Sequence, residues 1–345
     1  MHIAGRPIGP EHPPYVIAEM SGNHNGDITR AFALIDAAAA AGADAVKLQT
    51  YTADTITLDH DGPEFLIKGG LWDGRRLHAL YQEAQTPWDW HAPLFARARE
   101  AGIVIFSSPF DPTAIDLLEG LDAPAYKIAS FEIVDLPLIR LAAATGKPLI
   151  ISTGMATLAE MQEAVAAARE AGATQIVLLH CVSGYPTPPG ESNLLTIPDM
   201  AARFDVPIGL SDHTMGTAVA SAAVALGAVL IEKHFTLRRA DGGPDSAFSL
   251  EPDELAELVR NCRIAWEARG AIDYDLNPSE AGARMHRRSL YAVADIAAGE
   301  ILTAASIRSI RPGLGLAPKH LDAVLGRRAL HPIPRGTPLD WDMVE

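Results

Sequence analysis

The sequence has almost no cysteine: Cys181 and Cys262 are the only two in 345 residues. That leaves no disulfide framework and no cysteine-rich zinc pattern. No apolar run approaches the roughly 20 residues needed to span a bilayer. The opening stretch, MHIAGRPIGPEHPPYVIAEM, lacks the charged start and long apolar core of a secretory leader, so the cytoplasm is the expected compartment. Basic residues are scarce as well: 28 Lys and Arg face 43 Asp and Glu, for a net charge of −15. No basic stripe is available to neutralise a run of phosphates, which excludes a nucleic-acid surface. A small anionic substrate remains compatible, because such a ligand meets only the few lysines of its own cleft.

What the chain does have is apolar residues, 48% of the total, arranged in short runs. Eight of these read as strands: Tyr15 to Met20, Ala45 to Thr50, Ile103 to Ser108, Ala125 to Ser130, Pro148 to Thr153, Gln175 to Cys181, Pro207 to His213 and Val229 to Phe235. Ala-rich segments such as DITRAFALIDAAAAAG, TLAEMQEAVAAAREAG and TMGTAVASAAVALGA lie between them. Each spans about four helical turns, with a capping residue at the start and Gly at or near the end. Strand–helix alternation repeated eight times predicts a TIM (β/α)8 barrel over residues 1–272. One connection, from Tyr51 to about His91, is far longer than the rest, and its LWDG and TPWDW read as a packed lid. Residues 273–286 read as a linker. Residues 287–345 read as a small β-rich domain in which IAAGEILTAASI and IPRGTPLDWDMV weakly echo each other.

Catalytic groups of such barrels sit at the C-terminal ends of the strands, and residues two apart share a face. This places Glu19, the pair Lys47 and Gln49, Ser152, the pair Ser211 and His213, and the pair Glu232 and His234 on inward positions. A lone strand-end histidine is as well explained by a structural role. His213 and His234 stand on neighbouring strands, however, and without cysteine they suit a catalytic ion with open positions better than a closed structural site. Lys47 and Lys127 either pair with floor carboxylates such as Glu232 or, with Ser108, Ser130, Ser152 and Ser211, form a cradle for phosphate and carboxylate. Strict alternation puts Lys127 and Ser130 on opposite faces unless the backbone turns between them. Glu19 and Glu132 are candidates for proton transfer.

IAEMSGNHNGD, AVKLQT, SSPF, YKIASFEI, ISTGM, HCVSGYP, GLSDHT, EKHFTL, GGPDSAFSLEP and SIRPGLGL, taken in order, resemble the sialic acid synthase family over essentially the whole chain. The resemblance implies a barrel followed by an antifreeze-like (SAF) domain, and a domain-swapped homodimer in which one tail reaches the other protomer's site. It implies a phosphoenolpyruvate-dependent condensation with an N-acetylated amino-sugar, assisted by a divalent metal: Mn²⁺ first, with Mg²⁺ or Co²⁺ as alternatives. His213 and His234 would hold the metal. Lys47, Ser108, Lys127, Ser130, Ser152, Ser183 and Ser211 would bind phosphoenolpyruvate. Asn23, Gln49, Tyr185, Asp245 and Arg311 would bind the sugar, with Arg311 supplied by the partner subunit, while Glu19 and Glu132 would act near the reacting atoms. SGNHN, KLQTYTADTITLD, GGLWDG, TPWDWH and ASFE lean towards the pseudaminic acid synthases, whose implied acceptor is 2,4-diacetamido-2,4,6-trideoxy-L-altrose. N-acetylneuraminate and legionaminate synthases are the alternatives; a pyruvate-dependent aldolase and a non-catalytic sugar-binding protein are more distant rivals.

Overall fold

A computed structural model describes residues 1–345, which divide into two compact units, Met1–Gly270 and Ala271–Glu345. The first unit opens with a hairpin the sequence reading had passed over, β1 (His2–Ile3) and β2 (Arg6–Pro7). Eight parallel strands then close into a barrel: β3 (Tyr15–Glu19), β4 (Ala45–Thr50), β5 (Val104–Pro109), β6 (Tyr126–Ile128), β7 (Leu149–Ser152), β8 (Ile176–Cys181), β9 (Ile208–Asp212) and β10 (Leu230–His234). Each strand lies inside or within a residue of its expected span.

Two apolar layers follow from the alternation of side chains along each strand. The outward layer packs against the helices and includes Val16, Val46, Ile105, Ile128, Ile151, Leu178, Leu210 and Ile231. The inward layer, with Tyr15, Ile17, Phe106, Ile150, Val177, Leu179 and Leu230, meets Ile3 and Ile8 at the hairpin. The barrel is therefore filled from below, and polar inward positions begin only where the strands approach their C-terminal ends. Gly209 belongs to this filled region. A Cβ there would collide with the Leu230 carbonyl oxygen and come within 2.6 Å of the Leu179 Cδ2.

Helix starts follow the capping chemistry in the sequence. The Asp27 carboxylate caps the helix Ile28–Ala40 by accepting from Thr29 N, and Thr157 and Glu160 form a reciprocal capping box at Leu158–Glu170. The segment beginning at Thr214 departs from expectation. Its helix runs only over Ala218–Ala225, because Thr214 N is bound by the Asp212 side chain at 2.8 Å and Gly216 turns the chain at φ +74°. The long connection after β4 is ordered, with helices at Ala53–Ile56 and Leu77–Ala84, and Trp72 Nε1 donates to the Pro244 carbonyl at 2.8 Å. No helix is long and apolar enough to cross a membrane.

In the second unit, the stretch expected as a linker carries a 3-10 helix at Pro278–His286. Beyond it, β11 (Ser289–Ala292) pairs antiparallel with β12 (Ile307–Ile310). The weak internal echo corresponds to a structural repeat. Ile296 and Ile333 exchange backbone hydrogen bonds at 3.0 and 2.9 Å, Gly299 and Gly336 both adopt positive φ, and Leu302 and Leu339 both enter the core.

Gly209→Ala is expected to destabilise the barrel by roughly 1–3 kcal/mol through overpacking. Denaturant unfolding of the two proteins checks this; equal midpoints would show that the floor can absorb a methyl group.

Candidate active site

The inward polar residues converge at the C-terminal mouth of the barrel, and strand register accounts for their proximity. His234 is in register with Glu19, Glu19 with Lys47, Glu232 with Ser211, and Ser211 with Cys181. At the centre stands Glu232, which sequence reasoning treated only as a floor carboxylate. Lys127 Nζ lies 3.0 Å from its Oε1 and Lys47 Nζ 3.7 Å from its Oε2, while Ser211 Oγ donates to Oε1 at 3.1 Å. Lys47 Nζ also contacts Glu19 Oε2 at 2.6 Å and donates to Ser108 Oγ at 3.2 Å. Gln49 Nε2 donates to the other Glu19 oxygen at 2.8 Å. The floor-carboxylate reading of the lysines is what the geometry shows: each is paired with a carboxylate, Lys47 also reaches the Ser108 hydroxyl, and Ser211 reaches the shared Glu232.

Burial and neighbouring charge balance differently at the two central carboxylates. Burial pushes both upward, but at Glu232 the charges of Lys127 and Lys47 outweigh it and hold the group below its ordinary value. At Glu19 burial wins over the pull of Lys47, with Glu232 adding to the rise, and the carboxyl sits at about 7. Glu232 is therefore the ionised partner of the lysines, and Glu19 is poised near neutrality.

The hydroxyl wall lies on the side of β6 to β8. Just beyond β6 the chain enters a 3-10 turn, Ser130–Glu132, which resolves the face conflict between Lys127 and Ser130. Gly154 N donates to Ser130 Oγ at 3.1 Å. A Cβ on Gly154 would strike the Ser183 hydroxyl and lie 2.8 Å from that of Ser130, so this glycine, which the sequence reading did not single out, keeps the wall open. Ser152 Oγ and Glu132 Oε2 are buried without a hydrogen-bond partner. Buried polar atoms are rarely left unpaired, so these two oxygens are free to bond a ligand. Burial raises the Glu132 carboxyl to about 7 against the opposing charge of Lys127.

The imidazoles of His213 and His234 stand with ring centroids 5.3 Å apart. His213 Nδ1 lies 2.9 Å from the Val182 carbonyl; as donor there, it leaves Nε2 with a free lone pair. His234 Nδ1 has no hydrogen-bond partner and lies 3.9 Å from Asp245 Oδ2. Burial, reinforced by the charges of Lys47 and Lys127, holds His234 well below its ordinary value, so the ring is neutral, which is the form that ligates. No group of three or more His, Cys, Asp or Glu side chains makes a ready cation cage. The donor set fits an ion held by two imidazoles with its remaining positions open.

Tyr185 packs on His213 at 4.4 Å between centroids, on Phe248 at 5.2 Å and on Trp72 of the long connection at 5.4 Å. Partly buried Asp245, its carboxyl raised by desolvation, stands beside His234. Asn23 ties loops together through Nδ2, which donates to the Phe235 carbonyl at 2.8 Å and to Ser249 Oγ at 2.9 Å, while its Oδ1 is buried without a partner. Arg311 is an exposed residue of the second unit, just past β12. Cys181, also unassigned from sequence, faces inward with Sγ 3.9 Å from His213 Nδ1.

Residues 34–274 match the NeuB family, and residues 287–345 match the SAF domain. The chain belongs to the NeuB family. It is 45% identical to the pseudaminic acid synthase of Helicobacter pylori over 96% of this chain and 98% of that protein. To the N,N'-diacetyllegionaminic acid synthase of Legionella pneumophila it is 34% identical, over 99% of this chain and 97% of that protein. Among solved structures, the N-acetylneuraminic acid synthetase of Leptospira borgpetersenii superposes with a TM-score of 0.74 at 32% identity, covering 82% of this chain and 94% of that one.

The Glu132 carboxyl, raised from 4.5 to about 7, binds its proton more tightly in the folded state than in the unfolded one. Its contribution to stability is therefore full below about pH 4.5 and is lost as pH rises towards 7. Relative to Glu132→Gln, the wild type should lose thermal midpoint between pH 5 and 8. Parallel midpoint curves for the two proteins would show that Glu132 titrates normally.

Proposed function

We propose that this enzyme condenses phosphoenolpyruvate with 2,4-diacetamido-2,4,6-trideoxy-L-altrose and water, giving pseudaminic acid and phosphate by C–O cleavage. The observation that carries this reading is the recess itself: two buried ammonium groups and unpartnered hydroxyl and carboxyl oxygens beside two converging imidazoles. The greater identity to a pseudaminic than to a legionaminic acid synthase supports this acceptor.

In this reading Lys47 and Lys127 receive the phosphate and carboxylate of phosphoenolpyruvate, exchanging part of their pairing with Glu19 and Glu232 for the ligand. Ser108, Ser130, Ser152, Ser183 and Ser211 supply directional hydrogen bonds. Gln49, Tyr185 and Asp245 face the sugar, and Asn23 acts through the loop it ties down. His213 and His234 hold a divalent ion, with Mn²⁺ preferred over Mg²⁺ or Co²⁺, and the bound ion supplies Lewis acidity to the aldehyde. C3 of phosphoenolpyruvate attacks the aldehyde carbon, leaving C2 electron-poor, and water adds at C2. The resulting tetrahedral carbon expels phosphate by breaking its C2–O bond. Glu19 and Glu132, both near pH 7 in their ionisation, take the water proton and deliver one to the new alkoxide. Trp72, Tyr185 and Phe248 shield the reacting carbons from bulk water. Arg311 belongs to the proposal through a domain-swapped homodimer in which it reaches an N-acetyl group of the partner subunit's sugar. The reaction is assigned to the cytoplasm, where phosphoenolpyruvate is made.

A phosphate-release assay across three acceptors tests the assignment, with Mn²⁺, Mg²⁺ and chelator arms: the altrose derivative, N-acetylmannosamine and the legionaminate precursor. Turnover with the altrose derivative is expected to dominate and to stop with chelator. Preference for N-acetylmannosamine would overturn the acceptor, and pyruvate turnover without phosphate release would overturn the reaction. In ¹⁸O-water the label should enter the product's C2 oxygen rather than the phosphate. Gly154→Ala should raise the KM for phosphoenolpyruvate about tenfold, the effect of roughly 1–3 kcal/mol of crowding. An unchanged KM would remove the serine wall from the phosphoenolpyruvate site.

A further inference from the structure

The two strands that present the imidazoles carry a second charged pair on their other face. Asp212 and Lys233 point outward from the barrel, into a layer otherwise built from residues such as Leu210 and Ile231. Their side chains are only 2% and 1% exposed, and Lys233 Nζ lies 2.6 Å from Asp212 Oδ2. The same ammonium donates to the Thr214 carbonyl at 2.6 Å, while Asp212 Oδ1 accepts from Thr214 N at 2.8 Å. One cation therefore binds the residues on both sides of His213, and it belongs to the residue immediately before His234. The β9–β10 ladder ends at the pair Lys233 and Asp212, so His213 lies beyond the last backbone rung between these strands. Past that rung, the Lys233 ammonium bonded to the Thr214 carbonyl ties the chain beyond His213 back to β10.

Packing does not call for this arrangement, since well-fitted apolar residues stabilise a protein interior at least as well as a buried ion pair. What the pair adds is direction: it bends the chain at Asp212–Thr214 and joins that bend to the end of β10. We propose that Lys233 and Asp212 are positioning residues that set the separation and orientation of His213 and His234 from behind the barrel wall. The role rests on the reading of those histidines as ligands of a divalent ion. Partners outside the first shell of a metal site commonly control affinity in this way, with losses of about 10- to 100-fold when they are removed.

The test is the double variant Asp212→Leu with Lys233→Met, which replaces the pair by apolar side chains of similar size and leaves no lone buried charge. Mn²⁺ affinity is measured by calorimetry without substrates, phosphoenolpyruvate affinity by equilibrium binding, and the thermal midpoint alongside. The expected result is a folded protein whose Mn²⁺ Kd rises about tenfold or more while its phosphoenolpyruvate Kd stays within about twofold. A folded variant that binds Mn²⁺ as the wild type does would overturn the positioning role, as would equal weakening of both ligands. Wild type that takes up no Mn²⁺ would instead overturn the ion reading on which the role depends. If the double variant does not fold, Asp212→Asn serves in its place, since it keeps an acceptor for Thr214 N but takes the carboxylate from Lys233. It is expected to weaken Mn²⁺ by about threefold or more, and an unchanged Kd would again overturn the role.

Discussion

A single carboxylate shared by two buried ammonium groups holds the throat of this barrel in its working shape. An ammonium removed from water is costly without an anion, and Lys47 and Lys127 both approach Glu232. The carboxylate in turn stays ionised only because both cations are there. In the proposed reaction the same lysines share themselves with an incoming anion while Glu19, its carboxyl raised to about 7, takes up the change in charge, so that little reorganisation is needed.

The rest of the barrel serves that charge arrangement. Parallel pairing fixes which residues stand side by side, so Glu19 meets Lys47 on one side and His234 on the other. The apolar plug below denies the lysines any floor of water, and the aromatic contacts of Trp72 and Tyr185 cover the imidazoles from above. The hydroxyls of Ser130 and Ser183 can stand as close as they do because Gly154 carries no side chain between them.

Much of this was legible in the sequence, because period-2 alternation and the barrel rule together say which residues face one another. The eight strands, the pairing of His213 with His234 and the inward course of Lys47 followed directly. Three features were hidden for physical reasons. The Ser130 turn depends on backbone dihedrals that alternation does not encode. Glu232 reads as a floor partner for the lysines, but alternation does not say that this one carboxylate serves both. The helix after β9 reads as four turns, because helical periodicity is blind to an aspartate that captures Thr214 N first. The loop-tying role of the Asn23 amide nitrogen, which holds the backbone of Phe235, is likewise not encoded by alternation. The resemblance of motifs supplied roles that geometry alone did not, and it gave no warning of these local departures.

The hairpin of β1 and β2, with Ile3 and Ile8 seated against the inner layer, makes the barrel a vessel with one mouth. Traffic through a single doorway has to be sequential. In the proposed reaction, the reactant destined for the lysines has to pass the rim before the bulkier one settles there.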